Sequence, residues 1–278
     1  MLSLGSTPLA NSLLTESQLR EPEPRYPLDL RLCRTCSLVQ ITETVPPDVL
    51  FRDYLYFSSF SDTMLSHAER LATRLVTERC LDGTSLVAEA ASNDGYLLAF
   101  YRALGIPVLG IEPARNIATV AEDRGIPTLA EFFDADLARR LVADGRRPDV
   151  FHGNNVLAHV ADLNGFVEGI ATVLADDGEA VIEVPYVKDM IDGCEFDTIY
   201  HEHLCYFSLT ALDALFARHG LAISHVEQIS VHGGSLRIFA SRPGVRERSE
   251  TVVALLRTEA NWGVADTAPY DAFARRVT

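Results

Sequence analysis

Lysine is almost missing from this chain of 278 residues. Lys188 is the single lysine among 24 basic residues, and 39 acidic residues bring the formal net charge to −15. A protein that binds nucleic acid along its phosphate backbone needs a basic surface. The scarcity of positive charge therefore excludes nucleic acid as an expected partner, whereas one or two local arginines still suffice to bind a small anionic substrate.

Long apolar runs and an N-terminal targeting signal are missing as well. No run approaches the roughly 18 to 20 apolar residues that cross a bilayer. The N-terminus lacks a basic region and is interrupted by Gly5, Pro8 and Asn11, so it does not read as a signal peptide. The five cysteines are too few and too scattered for a disulfide scaffold. We therefore expect a cytoplasmic protein without membrane partners.

The composition changes twice along the chain. Residues 1–60 show little periodicity and many turn formers, and residues 244–278 carry a polar helical pattern that stops in mid-pattern. Between them, apolar runs alternate with helical patterns. We predict a small N-terminal subdomain that resembles a zinc ribbon over 1–60, a catalytic domain over 61–243, and the helical start of a C-terminal domain over 244–278.

The central region predicts a mostly parallel sheet. Its strands are expected at residues 85–90, 107–112, 126–129, 148–155 and 179–186, with helices between them. A helix capped by Ser61 is expected before the first strand, and a helix capped by Ser208 after the fifth. Such alternation produces right-handed crossovers and helices on both faces of the sheet. Two final strands joined by VHGG favour an antiparallel hairpin. An α/β, Rossmann-like sheet that ends in such a hairpin is the plan of a class I methyltransferase.

Acidic residues follow the first two predicted strands of this sheet, where open α/β sheets bind their ligands. Glu89 ends the first strand and Glu112 ends the second, 23 residues later. The intervening turn has one glycine and its own carboxylate, which disfavours a dinucleotide pyrophosphate and suits a cationic cofactor. We therefore predict an S-adenosylmethionine site in which Glu112 binds the ribose hydroxyls. Its predicted residues are Glu89, Ser92, Asn93, Asp94, Gly95 and Glu112.

Asn154 and Asn155 end the fourth predicted strand. We include Asn155 in the predicted cofactor site, where it would close the site beneath the methionine part of the cofactor. Capping of the following segment is the alternative, and the sequence does not decide between the two roles.

Cys33 and Cys36 form a C-x-x-C motif between two short predicted strands. This is the spacing of a tetrahedral zinc knuckle, but two thiolates fill only two of four positions. A redox-active pair is the alternative, although such a pair is expected where a strand leads into a helix. We therefore expect Cys33 and Cys36 to be half of a zinc site, and we do not expect these two thiolates alone to bind zinc.

Histidines are concentrated in a segment without helical or strand periodicity. Tyr200, His201, Glu202 and His203 are consecutive, and His159 follows the fourth predicted strand. Irregular segments at the open edge of a parallel sheet are where catalytic groups concentrate. A surface loop with chance histidines is the alternative. His67, His219 and His225 are expected at surface positions of helices or strands, with no polar partner nearby in the sequence.

The motifs in the chain identify a family resemblance. DYLYFSSFSDTM, SNDGYLL, GIEPARNIA, NNVLAHVADLN, EFDTIYHEHLCYFS and HGGSLR together resemble the sugar C-methyltransferases of deoxysugar biosynthesis, which act on nucleotide-linked 4-keto sugars. The resemblance covers nearly the whole chain. It implies that His203 is the proton-abstracting base. It also implies a sugar pocket lined by His159, Tyr200, Glu202 and Tyr54.

Three features depart from the family pattern. The family has a further C-x-x-C before the LGSTPLAN segment and a C-terminal domain beyond FARRV, so we expect this chain to be truncated at both ends. The third departure is Ala90-Ala91, where the family usually has a bulky apolar residue followed by glycine. Alanine in place of that glycine is expected to crowd the cofactor.

The resemblance implies methylation at a carbon next to a ketone. A histidine base removes a proton from this carbon to form an enolate, and His159 or Tyr200 donates a hydrogen bond to the oxyanion. Further substrate contacts are expected from His201, His232, Arg237 and Arg52, although residues 232–234 also fit a simple hairpin turn.

Two other functions stay open. The first is S-adenosylmethionine-dependent O- or N-methylation of a small metabolite, which needs no enolate. The second is an inactive fragment that binds S-adenosylmethionine. A NAD-dependent dehydrogenase is disfavoured, because the glycine fingerprint is absent.

Overall fold

A seven-stranded sheet forms the centre of the structure, with the strand order β10-β11-β8-β7-β4-β5-β6. The computed structural model describes residues 1–46, 50, 57–230 and 233–278. Strands β4 to β8 are parallel, whereas β11 runs antiparallel to both β8 and β10. The predicted parallel sheet with a final antiparallel hairpin is confirmed. The bounds are β4 Val87–Ala90, β5 Val108–Ile111, β6 Thr128–Leu129, β7 Val150–Asn154, β8 Glu179–Pro185, β10 Ala222–Ile229 and β11 Ser235–Ser241.

Helices cover both faces of this sheet. One apolar cluster joins α1, α2 and α3 to the sheet, and a second joins α4, α5 and α7. Helix α1 shows why the sequence folds this way: Ser61 caps it by accepting a hydrogen bond from the Met64 amide, and its buried residues recur at helical spacing. The bounds are α1 Asp62–Glu78, α2 Leu98–Ala103, α3 Arg115–Asp123, α4 Ala135–Ala143, α5 Leu163–Val173, α6 Val187–Gly193 and α7 Leu209–Arg218.

A second, four-stranded antiparallel sheet has the order β1-β2-β3-β9. Three strands come from the N-terminal region: β1 is Ser3–Thr7, β2 is Tyr26–Leu32 and β3 is Val39–Ile41. The fourth, β9 (Cys205–Tyr206), directly follows the Tyr200–His203 segment. The N-terminal region therefore shares a sheet with the segment in which the catalytic histidines are predicted.

Two helices complete the chain, α8 (Glu250–Trp262) and α9 (Ala268–Val277). Glu259 of α8 is fully buried and accepts hydrogen bonds from the amides of Leu209 and Thr210, both at 2.7 Å. This carboxylate satisfies the free amides at the start of α7 and ties the C-terminal helices to the central fold. Within the described ranges, every helix is too short or too polar to span a membrane.

Candidate active site

A cavity of about 920 Å³ opens at the carboxyl ends of the parallel strands. It lies where the strand order reverses between β4 and β7, the position at which open α/β sheets bind ligands. The cavity joins two groups of predicted residues. The cofactor group contributes Asn93, Glu112 and Asn155, and the catalytic group contributes His159, Tyr200 and His203.

The turn after β4 has an unusual backbone. Ala91 and Asn93 have φ values of 51° and 49°, in the left-handed region that ordinary side chains avoid. Gly95 has a φ of 76°, and a Cβ atom there would come within 2.8 Å of Ile126. The turn therefore needs its glycine, and Ala91 adopts a conformation that glycine would adopt without strain.

Glu112 holds this turn in place. Its carboxylate accepts hydrogen bonds from the backbone amides of Asn93 and Ala114, both at 2.9 Å. Burial raises the pKa of Glu112, and these two bonds partly offset the rise. Glu112 lines the cavity, so its remaining lone pairs can accept hydrogen bonds from a ligand.

Four predicted cofactor residues are buried away from the cavity surface. They are Glu89, Ser92, Asp94 and Gly95. Burial, reinforced by Glu183, Glu112 and Asp94, raises the pKa of Glu89 well above its usual range. The carboxylate of Asp94 accepts hydrogen bonds from Ser59 and Arg124. Asp94 thereby fastens the segment before α1 to the turn.

Asn154 and Asn155 line the cavity at the end of β7, the strand beside β4. Asn155 has a φ of 54°, and its amide donates to the carbonyl of Glu183 at 2.9 Å. The side-chain carbonyl oxygens of both asparagines are buried, and among the described residues neither has a hydrogen-bond partner. Two unpaired acceptors at a cavity wall fit a ligand with ammonium or hydroxyl donors.

Tyr200 and His203 form a hydrogen-bonded pair at the other end of the cavity. His203 Nδ1 lies 2.9 Å from the carbonyl oxygen of Thr198, and Nε2 lies 3.0 Å from Tyr200 Oη. Because a carbonyl only accepts, Nδ1 of His203 carries a proton. In the neutral ring, Nε2 is then the basic atom and accepts the hydrogen bond of the Tyr200 hydroxyl.

His159 packs against this pair, with 4.9 Å between the ring centroids of His159 and His203. Nδ1 of His159 donates to the carbonyl of Glu202 at 2.7 Å. Burial lowers the pKa of His159, which favours the neutral ring with its proton on Nδ1. The Glu202 carboxylate does not line the cavity and accepts a hydrogen bond from Asn11 Nδ2 at 2.7 Å.

The predicted substrate contacts are placed differently. His201 is buried, does not line the cavity, and binds the carbonyl of Pro27 in the N-terminal sheet. Tyr54, Arg52 and His232 lie outside the described residues. Arg237 is buried away from the cavity, because its guanidinium pairs with Glu183 and Glu227, each at 2.7 Å.

His67 belongs to the same buried ion network, with a side chain that is 12% exposed, so the expectation of a surface position for this histidine is wrong. Its Nε2 lies 3.0 Å from Glu183 Oε2 and 2.9 Å from an Arg237 nitrogen. Sequence reasoning missed this network because its members lie on α1, β8 and β11, far apart in the chain. His219 and His225 also have polar neighbours, at Asn164 and Ser249 respectively.

The cavity is acidic in the part of the chain that the structure describes. Five carboxylate residues line it and neither lysine nor arginine does so; the five are Glu112, Asp134, Asp162, Glu195 and Asp197. Sequence reasoning missed the last four, together with the aromatic wall of Tyr96, Phe132, Phe133 and Tyr206. The run FFD after the third strand was the available signal, since aromatic rings and a carboxylate at a strand end are suited to a nucleoside.

Cys33 and Cys36 lie between β2 and β3, as the motif predicts. The Ser37 amide donates to the Cys33 carbonyl, and the Cys33 amide donates to the Leu38 carbonyl, which closes a tight knuckle. Both thiols are free. Within the described ranges, no cluster of three or more histidine, cysteine or acidic residues is arranged to hold a metal ion. Two thiolates alone therefore do not complete a tetrahedral zinc site.

Comparison with protein families gives three matches along the chain. Residues 1–51 match a family described as "Putative zinc binding domain". Residues 64–226 match a family described as "Methyltransferase domain". Residues 230–278 match a family described as "C-methyltransferase C-terminal domain".

A curated relative matches over almost the entire chain. The C-methyltransferase NovU of Streptomyces niveus is 36% identical over 275 residues, which cover 99% of this chain. The chain spans 66% of the length of that relative.

Solved structures share the fold at low sequence identity. Magnesium protoporphyrin IX methyltransferase (ChlM) from Synechocystis PCC 6803, with bound SAH, has a TM-score of 0.52 at 15% identity and covers 64% of this chain and 83% of its own. The PH0226 protein from Pyrococcus horikoshii OT3 also has a TM-score of 0.52, at 12% identity, and covers 71% of this chain and 96% of its own.

Proposed function

The chain belongs to the methyltransferase family, and on this basis we propose that it transfers a methyl group from S-adenosylmethionine to a carbon atom next to the ketone of a nucleotide-linked 4-keto-deoxysugar. The observation that supports this proposal is the shared cavity. One wall carries the strand-end residues expected to hold the cofactor, and the other carries the imidazole and phenol groups expected to act on the sugar.

The cofactor fits the residues of the first wall. The Glu112 carboxylate accepts hydrogen bonds from the ribose hydroxyls. The unpaired side-chain carbonyl oxygens of Asn154 and Asn155 accept hydrogen bonds from the ammonium group of the methionine part. The surrounding carboxylates favour a cationic ligand on charge. When bound, the sulfonium supplies an electrophilic methyl group.

The second wall supplies a base of suitable geometry. Tyr200 and His203 act as one proton-accepting pair, because a proton taken up by either group ends on His203 Nε2. The carbonyl of Thr198 fixes the ring and keeps the other nitrogen protonated. Proton removal from an ordinary sugar carbon is difficult, but a neighbouring ketone delocalises the electron pair onto its oxygen. A base of imidazole strength matches this task.

The nucleotide part of the substrate is expected outside the described cavity wall. A diphosphate is repelled by a wall that carries five carboxylates. Arg237 is committed to Glu183 and Glu227, so it does not serve this role. We therefore propose that only the sugar ring enters the cavity and that the diphosphate stays near its mouth.

The experiment that tests this function uses purified protein, S-adenosylmethionine and a panel of thymidine-diphosphate 4-keto-deoxysugars. Mass spectrometry and NMR of the products are expected to show a new carbon–carbon bond beside the former ketone. A methyl group on oxygen or nitrogen would instead identify an O- or N-methyltransferase. Absence of any methylated product from cofactor-binding protein would indicate an inactive fragment.

A matched pair of variants tests the role of His203. His203→Ala is expected to lower kcat by about 10²-fold or more, the usual contribution of a general base. Cofactor affinity, measured by calorimetry, is expected to stay unchanged, since His203 lies on the other wall. His219→Ala is the control, because His219 lies away from the cavity and contacts Asn164. Equal activity of the two variants would remove His203 from the base role.

A further inference from the structure

Tyr206 is a buried phenol in the cavity wall whose hydroxyl proton has no hydrogen-bond acceptor among the described residues. Its side chain lines the cavity, the residue is 3% exposed, and its hydroxyl donates to no acceptor among the described residues. Burial raises the pKa of this phenol, and a hydrogen bond from the Tyr200 backbone to its oxygen offsets the rise only in part, so the phenol stays protonated and retains a hydrogen to donate. An unsatisfied buried hydroxyl is unfavourable for folding, which calls for a functional explanation.

The position of Tyr206 places this hydroxyl group beside the proposed base. Its ring centroid lies 6.2 Å from that of His203, with the two rings nearly perpendicular. Strand β9 fixes the backbone, since Tyr206 is in register with Val39 of β3 and its flanking residue Cys205 with Gln40. The phenol ring is therefore held edge-to-face against the ring of the proposed base.

The other expected donors are committed elsewhere. The Tyr200 hydroxyl donates its hydrogen bond to His203 Nε2. The neutral ring of His159 has its proton on Nδ1 and donates that hydrogen bond to the carbonyl of Glu202. Tyr186 also lines the cavity, but its hydroxyl is directed to a carboxylate: burial raises the pKa of Tyr186, and the charge of Glu259 and a hydrogen bond to it raise the pKa further. Among the cavity tyrosines that the structure describes, Tyr206 has a free proton beside His203.

We propose that Tyr206 is a catalytic residue that donates its hydroxyl hydrogen bond to the substrate oxyanion; the proposal rests on the function proposed above. In this step the carbon–hydrogen bond next to the ketone breaks and the proton passes to the Tyr200–His203 pair: the Tyr200 oxygen takes up the substrate proton while the Tyr200 hydroxyl proton moves to His203 Nε2. The electron pair forms the carbon–carbon double bond of the enolate, and the carbonyl π electrons move to oxygen. Tyr206 stabilises the negative charge on that oxygen without transferring its own proton.

The test compares Tyr206→Phe with Tyr270→Phe. Tyr206→Phe removes an unpaired hydroxyl, so we expect an unchanged or higher melting temperature. Its kcat is expected to fall by about 10² to 10³-fold, the usual effect of losing one oxyanion donor. Tyr270 lies outside the cavity and donates to the carbonyl of Val264 at 2.8 Å. Tyr270→Phe is therefore expected to lower the melting temperature and to leave kcat unchanged.

A second measurement isolates the proposed step from methyl transfer. Incubation of the 4-keto sugar with protein and S-adenosylhomocysteine in deuterium oxide is expected to exchange the hydrogen next to the ketone. Tyr206→Phe is expected to slow this exchange in parallel with kcat. A Tyr206→Phe variant that exchanges deuterium and turns over at wild-type rates would overturn the inference. Losses of exchange and turnover that are no larger than the loss of folded protein would also overturn it.

The outcomes separate this inference from the proposed function. Failure of the wild-type protein to form a C-methylated product contradicts the proposed function. A wild-type C-methylated product together with a fully active Tyr206→Phe variant contradicts the role of Tyr206 alone.

Discussion

At the scale of single residues, the candidate site combines strained backbone with unpaired acceptors. Ala91, Asn93 and Asn155 all have positive φ values, and all three line the cavity. Non-glycine residues in this region cost about 1 to 3 kcal/mol each, and they persist where the surrounding structure determines the conformation. Here the Glu112 carboxylate fixes the backbone of Asn93, and the Glu183 carbonyl fixes the backbone of Asn155, each by accepting a hydrogen bond from the backbone amide.

Glu112 provides the residue-scale prediction. Glu112→Ala removes the acceptor for two backbone amides and for the proposed ribose hydroxyls, so we expect S-adenosylmethionine affinity to fall by about 10 to 100-fold, equivalent to one or two charged hydrogen bonds. Isothermal titration calorimetry measures the change. Glu131→Ala is the control, since Glu131 pairs with Arg140 and does not line the cavity. Equal affinities of the two variants would exclude a ribose contact.

Part of the site could be predicted from sequence and part could not. Glu112 and Asn93 follow buried strands, so local patterns place them at the cavity edge. Tyr200 and His203 are neighbours in sequence, which makes their contact a local property. Arg237 looked available because its sequence neighbourhood contains no acid. Its partner Glu183 comes from β8, and only the register between β8 and β11 brings the two together.

At the scale of elements, helix α1 is fastened to the sheet by charge as well as by apolar packing. His67 of α1 contacts Glu183 and Arg237, and Arg74 of the same helix pairs with Glu227 on β10. The segment before α1 reaches the cofactor turn through Ser58 and Ser59, which bind Asn93 and Asp94. Displacement of α1 would therefore disturb the turn.

The element-scale prediction concerns Glu183. Glu183→Ala removes one of the two carboxylates that pair with the buried Arg237 guanidinium, and we expect a loss of about 3 to 5 kcal/mol in the free energy of unfolding. Urea denaturation measures this loss. Asp136→Ala breaks a largely exposed ion pair with Arg139 and is expected to cost less than about 1 kcal/mol. A similar, small cost for both variants would show that the buried network contributes little.

Elements of the central sheet were easier to predict than those at its margins. Each parallel strand follows the predicted apolar run, and Ser61 and Ser208 cap their helices as expected. The alternation of buried strands and amphipathic helices is a local signal. The pairing of β9 with β3 was not predicted, because two residues of strand carry no periodicity and their partner lies more than 160 residues earlier.

At the scale of the whole molecule, a fully buried histidine partly sets how the free energy of unfolding depends on pH in the acidic range. His152 on β7 is fully buried, and its Nε2 lies 2.9 Å from the hydroxyl of Tyr101. Burial lowers the pKa of His152 from 6.5 to about 3. Between pH 6.5 and about 3, His152 is therefore protonated in the unfolded chain but neutral in the folded chain. The free energy of unfolding falls as the pH drops through this range.

We expect His152→Gln to flatten this dependence. Between pH 6.5 and about 3, wild-type protein should lose up to about 1.4 kcal/mol more per pH unit than the variant, which corresponds to one proton. Urea denaturation at several pH values within this window measures the difference. His219→Gln, at a partly exposed position, is expected to keep the wild-type slope. Parallel curves for wild type and His152→Gln would contradict the assignment.

The sharing of β9 between the two halves of the chain has a consequence for assembly. The parallel sheet contains the expected cofactor residues and needs no N-terminal strand, whereas the imidazole wall is positioned by Asn11, Pro27 and Val39. The pairing of β9 with β3 requires segments far apart in the chain to meet, and contacts of this kind form slowly. A refolding chain should thus acquire its cofactor site first and its reactive wall last, so cofactor binding is expected to return before turnover.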